Sequence, residues 1–469
     1  MKQGSYEENS INLWGAVGLG TGVMIGAAIF AVIGQVAVIA GALFPLAYIG
    51  GAIVAACSAH SYVKMGNLYP SAGGIGMFFV KIYGKGAVTA GCALLMAFSM
   101  IIAQSLVART FGTYTLQLFD IGPESNLVPV LGVGLLLFTY IVNVMKSQFV
   151  QTFVSIISLI KIAGLVVFSM AALYATGFSL EGVLSGSVPD QPAPSFVAAI
   201  ALSLLSFKGF TTITNNGGEI VEPKKNIGRA ITISIALCAG LYILMTWAVS
   251  SSLTIGEIAE ARDYSLAQAA RPVLGTYGLW FTVAIAILAT ITVCIAGVFA
   301  VSRMTAMLTD MKLIPHSHFG MSGTIQRHMV VYIIVLGITL TILFDLSRIA
   351  SLGAMYYLVM DIIFQWGVLR RVREKIEALT PVVTASLILN TLVLSAFLWY
   401  KIRTDLLVVI LAAVTIPLIF IGEYFFLRNK DFDDEDEDHE DENHEDEDHE
   451  EVKGSNDEDP RGDTDKKKN

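Results

Sequence analysis

Long stretches without a charged residue constrain this chain more than any other feature of its sequence. No Asp, Glu, Lys or Arg lies between Glu8 and Lys64, which is room for two helical membrane spans of about 20 residues each. Apolar stretches of spanning length recur along most of the chain, which is 54% hydrophobic and 15% charged. Only helices and closed barrels satisfy their backbone hydrogen bonds within lipid. The sequence therefore predicts an all-α polytopic membrane protein.

The apolar stretches predict twelve transmembrane helices. They cover residues 12–38, 42–63, 87–118, 127–145, 149–176, 195–216, 229–252, 276–307, 328–345, 347–369, 379–400 and 404–427. We expect a cytoplasmic N-terminus at residues 1–11 and a core of twelve helices at residues 12–427. We expect no cleavable signal peptide, because the first apolar stretch is too long and lacks a basic n-region.

The basic residues predict which loops face the cytoplasm. Loops on one side contain Lys64, Lys81, Lys85, Lys146, Lys224, Lys225, Arg229, Arg303, Lys312, Arg327, Arg370, Arg371, Arg373 and Lys375. Loops on the other side contain only Arg262, Arg271, Arg348, Lys401 and Arg403. Positive charge accumulates on the cytoplasmic side of a plasma membrane. We therefore expect a multi-pass plasma-membrane protein with both termini in the cytoplasm.

The C-terminal residues differ in charge from the rest of the chain. Residues 431–469 contain 21 Asp and Glu against 5 Lys and Arg, a net charge of −16, whereas the remainder carries +7. Residues 428–469 are expected to form a disordered, acidic cytoplasmic tail, because they cannot bury enough apolar surface to fold. Histidines recur there at positions 439, 444 and 449. A solvating tail explains them better than a weak divalent-metal site, since their spacing fits no compact metal site.

A glycine cluster interrupts the first predicted span. Gly18, Gly20, Gly22 and Gly26 each weaken a helix by about 1 kcal/mol relative to alanine. Backbone groups freed by a broken helix persist in a membrane only where they line a cavity or bind something polar. The cluster therefore indicates either a helix that opens in mid-membrane or a tight packing face against a neighbouring helix.

A second interruption lies at the corresponding position of the sixth span, at Ser206–Phe210. The two interrupted spans each begin a block of five helices, at about residues 12–176 and 195–369. Interrupted helices at matching positions of two halves indicate a secondary transporter with an inverted repeat. The two blocks share no convincing sequence identity, so the repeat is inferred from position alone.

Three basic residues lie at apparent membrane depth. Lys161 is half-way along an apolar fifth span, Lys208 lies in the interruption of the sixth span, and Arg109 lies toward the outer end of the third. A charge inside a membrane is a candidate functional group, because it costs several kcal/mol unless it is paired or hydrated. Burial favours the neutral amine, so Lys161 is a candidate proton carrier. Arg109 is expected to extend its charge toward the membrane surface.

Motifs in several predicted spans resemble those of one transporter family. The motifs are Gly22–Phe30, Leu68–Gly84, Phe207–Phe210, Gly218–Ile227 and Ser302–Pro315. The first is similar to G-x-x-I-G-x-G-I-F, the signature of the amino acid–polyamine–organocation (APC) permeases, and the others follow in the order of that family. The resemblance covers about residues 10–427. It implies a LeuT-type fold, with a 5+5 inverted repeat, broken helices 1 and 6, and two further helices.

The resemblance also implies a substrate site at the two breaks. In the family, the substrate carboxylate binds backbone amides at the start of the outer half of span one, which implies Gly26, Ala27 and Ala28. Carbonyls at the breaks hold the substrate ammonium. The residues implied there are Met24, Leu205 and Lys208, and Gly22 begins the same motif.

Lys161 matches a lysine of proton-coupled members of the family. The resemblance implies that its ammonium joins spans one, five and eight, with Thr292 as its partner on span eight. Loss of the proton is then expected to loosen the inward-facing gate. Thr211 stands where many members carry an acidic gate residue, so a mechanism that needs that carboxylate is not expected here.

Side chains of spans three, six, eight and ten are expected to select the substrate. The candidates are Gln104, Phe207, Phe210, Gly297 and either Tyr356 or Tyr357. Lys208 is uncommon at its position in the family. Its charge favours an acidic or neutral substrate over cationic amino acids and polyamines.

These features predict an importer of amino acids that works by proton symport and alternating access. An exchanger of two amino acids and a non-transporting amino acid sensor are the alternatives. The sequence contains no nucleophile–base set, cofactor loop or intramembrane Asp/Met ligand set, so we expect neither an enzyme, a cofactor nor a metal site. The expected partners are an amino acid, protons and the bilayer, without nucleic acid, and the chain is expected to be a monomer or a weak homodimer.

Overall fold

The computed structural model describes most of the membrane core. The described residues are 10–71, 73–145, 148–179, 193–314 and 324–428. The acidic tail with its three histidines lies outside these ranges, so the expectations for it stay predictions. The side chains of residues 27 and 148–156 are also outside the description.

The described residues form helices and contain no strand. The α-helices are α1 (Leu13–Met24), α2 (Ala27–Ala40), α3 (Phe44–Leu68), α4 (Gly74–Tyr83), α5 (Ala87–Leu116), α6 (Leu127–Val144), α7 (Gln148–Ala175), α8 (Ala193–Phe207), α9 (Thr211–Asn215), α10 (Pro223–Ser252), α11 (Ile255–Glu260), α12 (Ser265–Asp310), α13 (Ile325–Leu343), α14 (Leu346–Gly367), α15 (Thr380–Thr404) and α16 (Leu406–Leu427). One isolated bridge joins Ile11 to Ile220.

Eleven of the described helical segments are long and apolar enough to cross a membrane. The predicted class, an all-α polytopic membrane protein, is confirmed. The count of twelve spans stays a prediction, because the first of these segments, Ala28–Leu68, joins α2 and α3 through a short 3₁₀ turn. The inverted repeat also stays a prediction.

Helices near the end of the core face outward. Only 28% of the apolar window of α15 and 17% of that of α16 are buried within the protein, compared with 83% for the Ala28–Leu68 segment. Large apolar side chains are exposed along both helices, among them Leu392, Ile410 and Leu418. A contiguous apolar exterior of this kind suits contact with lipid. The first and sixth spans instead lie in the interior.

Two helical regions differ from the sequence expectation. The loop after the second span contains α4, whose apolar residues Ile75, Phe78 and Phe79 are buried. Helix α12 begins at Ser265, ahead of the predicted span, and bends at Gly275, which has φ 61°. A hydropathy window detects neither feature, because α4 is only 10 residues long and a bend leaves the mean hydropathy unchanged.

Candidate functional site

The first span is divided in mid-helix. Helix α1 ends at Met24 and α2 begins at Ala27, and Gly26 at the start of α2 receives no side-chain capping bond. A Cβ at Gly26 would lie 2.6 Å from a Val293 methyl carbon and 2.8 Å from the Val23 oxygen. Glycine therefore lets α12 approach the break closely. The first amides of α2 have no partners within their own helix.

The sixth span is divided beside the first. Helix α8 ends at Phe207, and a 3₁₀ turn over Lys208–Phe210 leads into α9. A Cβ at Gly209 would lie 2.7 Å from the backbone nitrogen of Met24. The two interruptions are thus in direct contact, and glycine is required at Gly209 because the obstacle is backbone. The predicted pair of broken helices is present in the described residues.

Tyr242, on α10, connects the two breaks. Its hydroxyl lies 2.6 Å from the carbonyl oxygen of Met24 and 3.0 Å from that of Ser206. The Phe207 ring contacts the Tyr242 ring edge-on, with 5.0 Å between centroids. Sequence reasoning missed Tyr242, because a tyrosine in an apolar span has no motif around it. The Met24 oxygen retains a second lone pair for a ligand.

Lys161 lies deep in the protein and contacts α1. Its side chain is 1% exposed, and its ammonium donates to the Gly22 carbonyl over 3.0 Å. A Cβ at Gly22 would lie 2.7 Å from the Ser158 hydroxyl, so the two helices meet closely beside this bond. The Thr292 hydroxyl donates within its own helix, to the carbonyls of Leu288 and Ala289. The described contacts do not include the expected bond between Lys161 and Thr292.

A large cavity extends along α1, the first of the two halves of the broken span. Its volume is about 280 Å³, and it is lined by α1, α9, α12 and the residues before α1. Gly22, Ser158 and Thr292 lie on its wall. Arg303 and Glu219, also on the wall, form an ion pair at 2.6 Å. We call this space the lower cavity.

A smaller cavity lies at the breaks themselves. Its volume is about 80 Å³, and we call it the upper cavity. Its walls come from the third, sixth, eighth and tenth predicted spans and from both sides of the first break. The lining residues that also border the lower cavity are Val23, Thr212, Val293, Ala296 and Ala300. The two cavities are therefore adjacent.

The structure brings many of the predicted site residues to these cavities, although not all of them. Those on the upper cavity are Ala28, Gln104, Leu205, Lys208 and Gly297. Those on the lower cavity are Gly22 and Thr292. Those on neither wall are Met24, Gly26, Lys161, Phe207, Phe210 and Tyr356, among the side chains that the structure describes.

Two of the predicted residues face neighbouring helices instead. The Tyr356 hydroxyl donates to Thr415 on α16. The Arg109 guanidinium donates to the Thr341 carbonyl on α13 over 2.9 Å. Helical periodicity does not determine which neighbour a side chain meets, so these contacts were not accessible from the sequence.

On the side of the breaks away from the lower cavity, α2 is tightly packed. A Cβ at Gly34 on α2 would lie 2.2 Å from the backbone oxygen of Arg262, so no side chain fits there. The adjacent Gln35 amide donates to the Asp263 carboxylate over 2.6 Å. Burial raises the pKa of Asp263, and Arg262 and Gln35 partly oppose that rise. The segment before α12 therefore covers α2 on this side.

The chain is similar to one family model and to individual proteins of known sequence. Residues 11–424 match a family model described as amino acid permease. The inner membrane transport protein YbaT of Escherichia coli K12 is 28% identical over 85% of this chain and 91% of that protein. The uncharacterized protein MJ0609 of Methanocaldococcus jannaschii is 34% identical over 58% of this chain and 62% of that protein. The serine/threonine exchanger SteT of Bacillus subtilis is 26% identical over 66% of this chain and 70% of that protein.

Proposed function

Because the chain belongs to the amino acid permease family, we propose that it imports amino acids across the plasma membrane as a proton-coupled secondary transporter. The name of YbaT, an inner membrane transport protein, supports that location. The positive charge of one set of loops supports a cytoplasmic position for both chain ends. The lower cavity then opens toward the cytoplasm, and the contact at Gly34 closes the outer side.

The substrate binds at the two breaks. Its carboxylate accepts hydrogen bonds from the amides of Gly26, Ala27 and Ala28, where the positive end of the α2 dipole favours an anion. Its ammonium is held by carbonyl oxygens at the two breaks, where Leu205 and Lys208 line the upper cavity. The contact between Gly209 and Met24 supports this arrangement, because it brings both interrupted backbones to one place.

The bond between Lys161 and Gly22 carries the proposal of proton coupling. A protonated Lys161 makes a charge-assisted hydrogen bond to the Gly22 carbonyl and so holds α1 against α7. The described residues include no carboxylate paired with Lys161. The strength of this bond therefore depends on whether Lys161 carries its proton. The neutral amine bonds Gly22 more weakly, and α1 is then free to move.

The change between protonated and neutral Lys161 couples proton movement to the movement of α1. Protonation from the outside favours the conformation in which α1 and α7 are joined, as they are beside the lower cavity, and release of the proton to the cytoplasm frees α1 to move away from α7. A proton and a substrate cross together because they act on the two halves of one broken helix. The proton on Lys161 stabilises the position of α1, and the substrate carboxylate binds the start of α2. Thr292 lies on the wall beside Gly22 and is available as a second acceptor for the ammonium during the movement.

Uptake into proteoliposomes tests the coupling. An inward proton gradient alone is expected to drive accumulation of a radiolabelled amino acid above the external concentration, and a protonophore is expected to abolish it. Lys161→Ala is expected to lose gradient-driven accumulation by at least about tenfold, because one charge-assisted bond is absent. Lys225→Ala removes an exposed lysine, 57% accessible in its side chain, and is expected to behave like the parent protein.

Uptake that does not depend on the proton gradient but requires amino acid inside the vesicles would contradict symport. It would instead support exchange, the second candidate, which is favoured by the name of SteT as a serine/threonine exchanger. The parent protein alone separates these outcomes, so the test does not depend on correct folding of Lys161→Ala. Binding of amino acids without any uptake would support a sensor.

A further inference from the structure

Lys208 places a positive charge on the wall of the upper cavity. The residue belongs to the 3₁₀ turn between α8 and α9 and lines the cavity together with Ala28 at the start of α2. Its ammonium donates to the Ser99 carbonyl and approaches the Ser99 hydroxyl, both at 3.1 Å. The Ser99 hydroxyl donates onward to the Gly353 carbonyl over 3.2 Å. Ser99 is therefore an acceptor toward Lys208.

No acidic side chain is paired with Lys208 among the residues that the structure describes. Its two acceptors are neutral and come from one residue, and an ammonium has three donors. Lys208 is partly buried on the cavity wall, and the neutral groups around it do not balance its charge. A ligand that brings a negative charge to this wall would balance it.

The rest of the upper cavity is largely apolar, which limits where a second charge can bind. Its wall includes Met96, Met100, Leu205 and Ile349. Gln104 is a buried polar side chain on this wall, and its amide oxygen has no partner within the described structure. Among the residues that line the upper cavity, Lys208 is the one cation.

We propose that the substrate is an acidic amino acid whose side-chain carboxylate pairs with Lys208. The inference rests on the proposed function, in which the amides of α2 already bind the main-chain carboxylate. A second carboxylate on the same molecule reaches Lys208 across the cavity, while Gln104 offers its amide oxygen to the substrate ammonium. Cationic amino acids are disfavoured, because their side chain would bring a like charge to Lys208.

Competition between isosteric amino acids tests the charge preference. In proteoliposomes of the parent protein, unlabelled glutamate is expected to inhibit radiolabelled glutamate uptake at concentrations about tenfold or more below those of glutamine, and aspartate likewise relative to asparagine. The ratio reflects one charge-assisted hydrogen bond to Lys208. Each pair has the same shape, so the ratio measures charge alone. Lysine is expected not to compete.

Substitutions of Lys208 test whether its ammonium causes the preference for glutamate over glutamine. Lys208→Met keeps the length of the side chain and removes its charge, and is expected to reduce the glutamate-to-glutamine ratio to about one. Lys208→Arg keeps the charge and is expected to retain a preference for glutamate. Lys224→Met removes an exposed lysine at the start of α10 and is expected to leave the ratio unchanged.

The outcomes separate the inference from the proposed function. If the parent protein transports neutral amino acids and glutamate does not compete, or if Lys208→Met keeps the full preference, the acidic-substrate proposal is wrong and amino acid transport stands. If no common amino acid enters the vesicles, the proposed function itself fails. The parent ratio decides the matter even where Lys208→Met does not fold.

Discussion

Gly297 shows how one absent side chain shapes the upper cavity. Gly297 lies on α12 opposite Gln104 of α5, and a Cβ at Gly297 would lie 2.2 Å from the Gln104 amide nitrogen. The Gln104 side chain is 5% exposed and fills the space that the glycine leaves. The position of the Gln104 amide in the cavity therefore depends on a glycine in another helix.

Gly297→Ala is expected to weaken substrate binding. The added methyl group displaces the terminal amide of Gln104, which is the flexible end of that side chain, so the substrate loses its contact with the amide while the fold is little affected. The expected result is a rise of roughly tenfold in the half-saturation concentration for uptake. Gly240→Ala is the matched control, since a Cβ there meets nothing within 4 Å.

A second substitution tests the cause. If displacement of Gln104 causes the loss, then Gln104→Ala is expected to raise the half-saturation concentration about as much as Gly297→Ala does, and the two substitutions together no further. Equal half-saturation concentrations for Gly297→Ala and the parent protein would refute the role assigned to this contact.

At the scale of elements, the two broken helices share one hydroxyl. Tyr242 belongs to α10, which is unbroken through its 30 residues, and its hydroxyl reaches the carbonyl oxygens of Met24 and Ser206. A carbonyl freed by a helix break needs a partner within a membrane. A continuous helix thus supplies a fixed point for two discontinuous ones.

Tyr242→Phe is expected to destabilise the protein by about 1–3 kcal/mol, because buried carbonyl groups lose a donor. The loss is measured as a lower midpoint of thermal unfolding in detergent. Uptake is expected to fall as well, since the geometry of both breaks relaxes. Tyr277→Phe removes a hydroxyl from a residue that is 81% exposed and serves as the control. A midpoint lowered equally by both substitutions would argue against the special role of Tyr242.

At the scale of the whole molecule, an open cavity along α1 contrasts with tight packing over α2. The lower cavity lies along α1, whereas α2 is covered by the segment before α12 through Gly34 and Gln35. In the proposed mechanism of alternating access, this contact over α2 closes the outer side and forms and separates in each cycle. Gly34 is decisive for its formation because the atoms opposite are backbone and have little freedom to move aside.

Gly34→Ala is expected to oppose closure of the outer side. Ala300→Cys, in a background without the four native cysteines, reports access to the cavities through labelling by a membrane-impermeant maleimide. We expect Gly34→Ala to reduce labelling from the cytoplasmic side and to reduce uptake severalfold. Gly256→Ala lies in the nearby α11, where a Cβ meets nothing within 4 Å, and is expected to change neither. Unchanged labelling in Gly34→Ala would contradict this account of the gate.

Patterns along the chain were sufficient for the class of fold and for the positions of both breaks. The family match confirms the resemblance that the motifs indicated. Lys161 was recognised because a lone charge stands out in an apolar span. Tyr242 was not, because its importance comes from two carbonyls on other helices. Helix α4 was missed for a different reason, since its 10 residues are too few to cross a membrane and lie between two predicted spans.

The sequence by itself determined that this chain is a helical membrane protein with two interrupted spans, because charge-free length and glycine clusters act locally on the backbone. Only the tertiary structure decided which groups meet at the interruptions. Gly209 lies against Met24, Lys161 bonds to Gly22, and Lys208 bonds to Ser99. These contacts join helices that are far apart along the chain, and packing rather than local preference selects such partners.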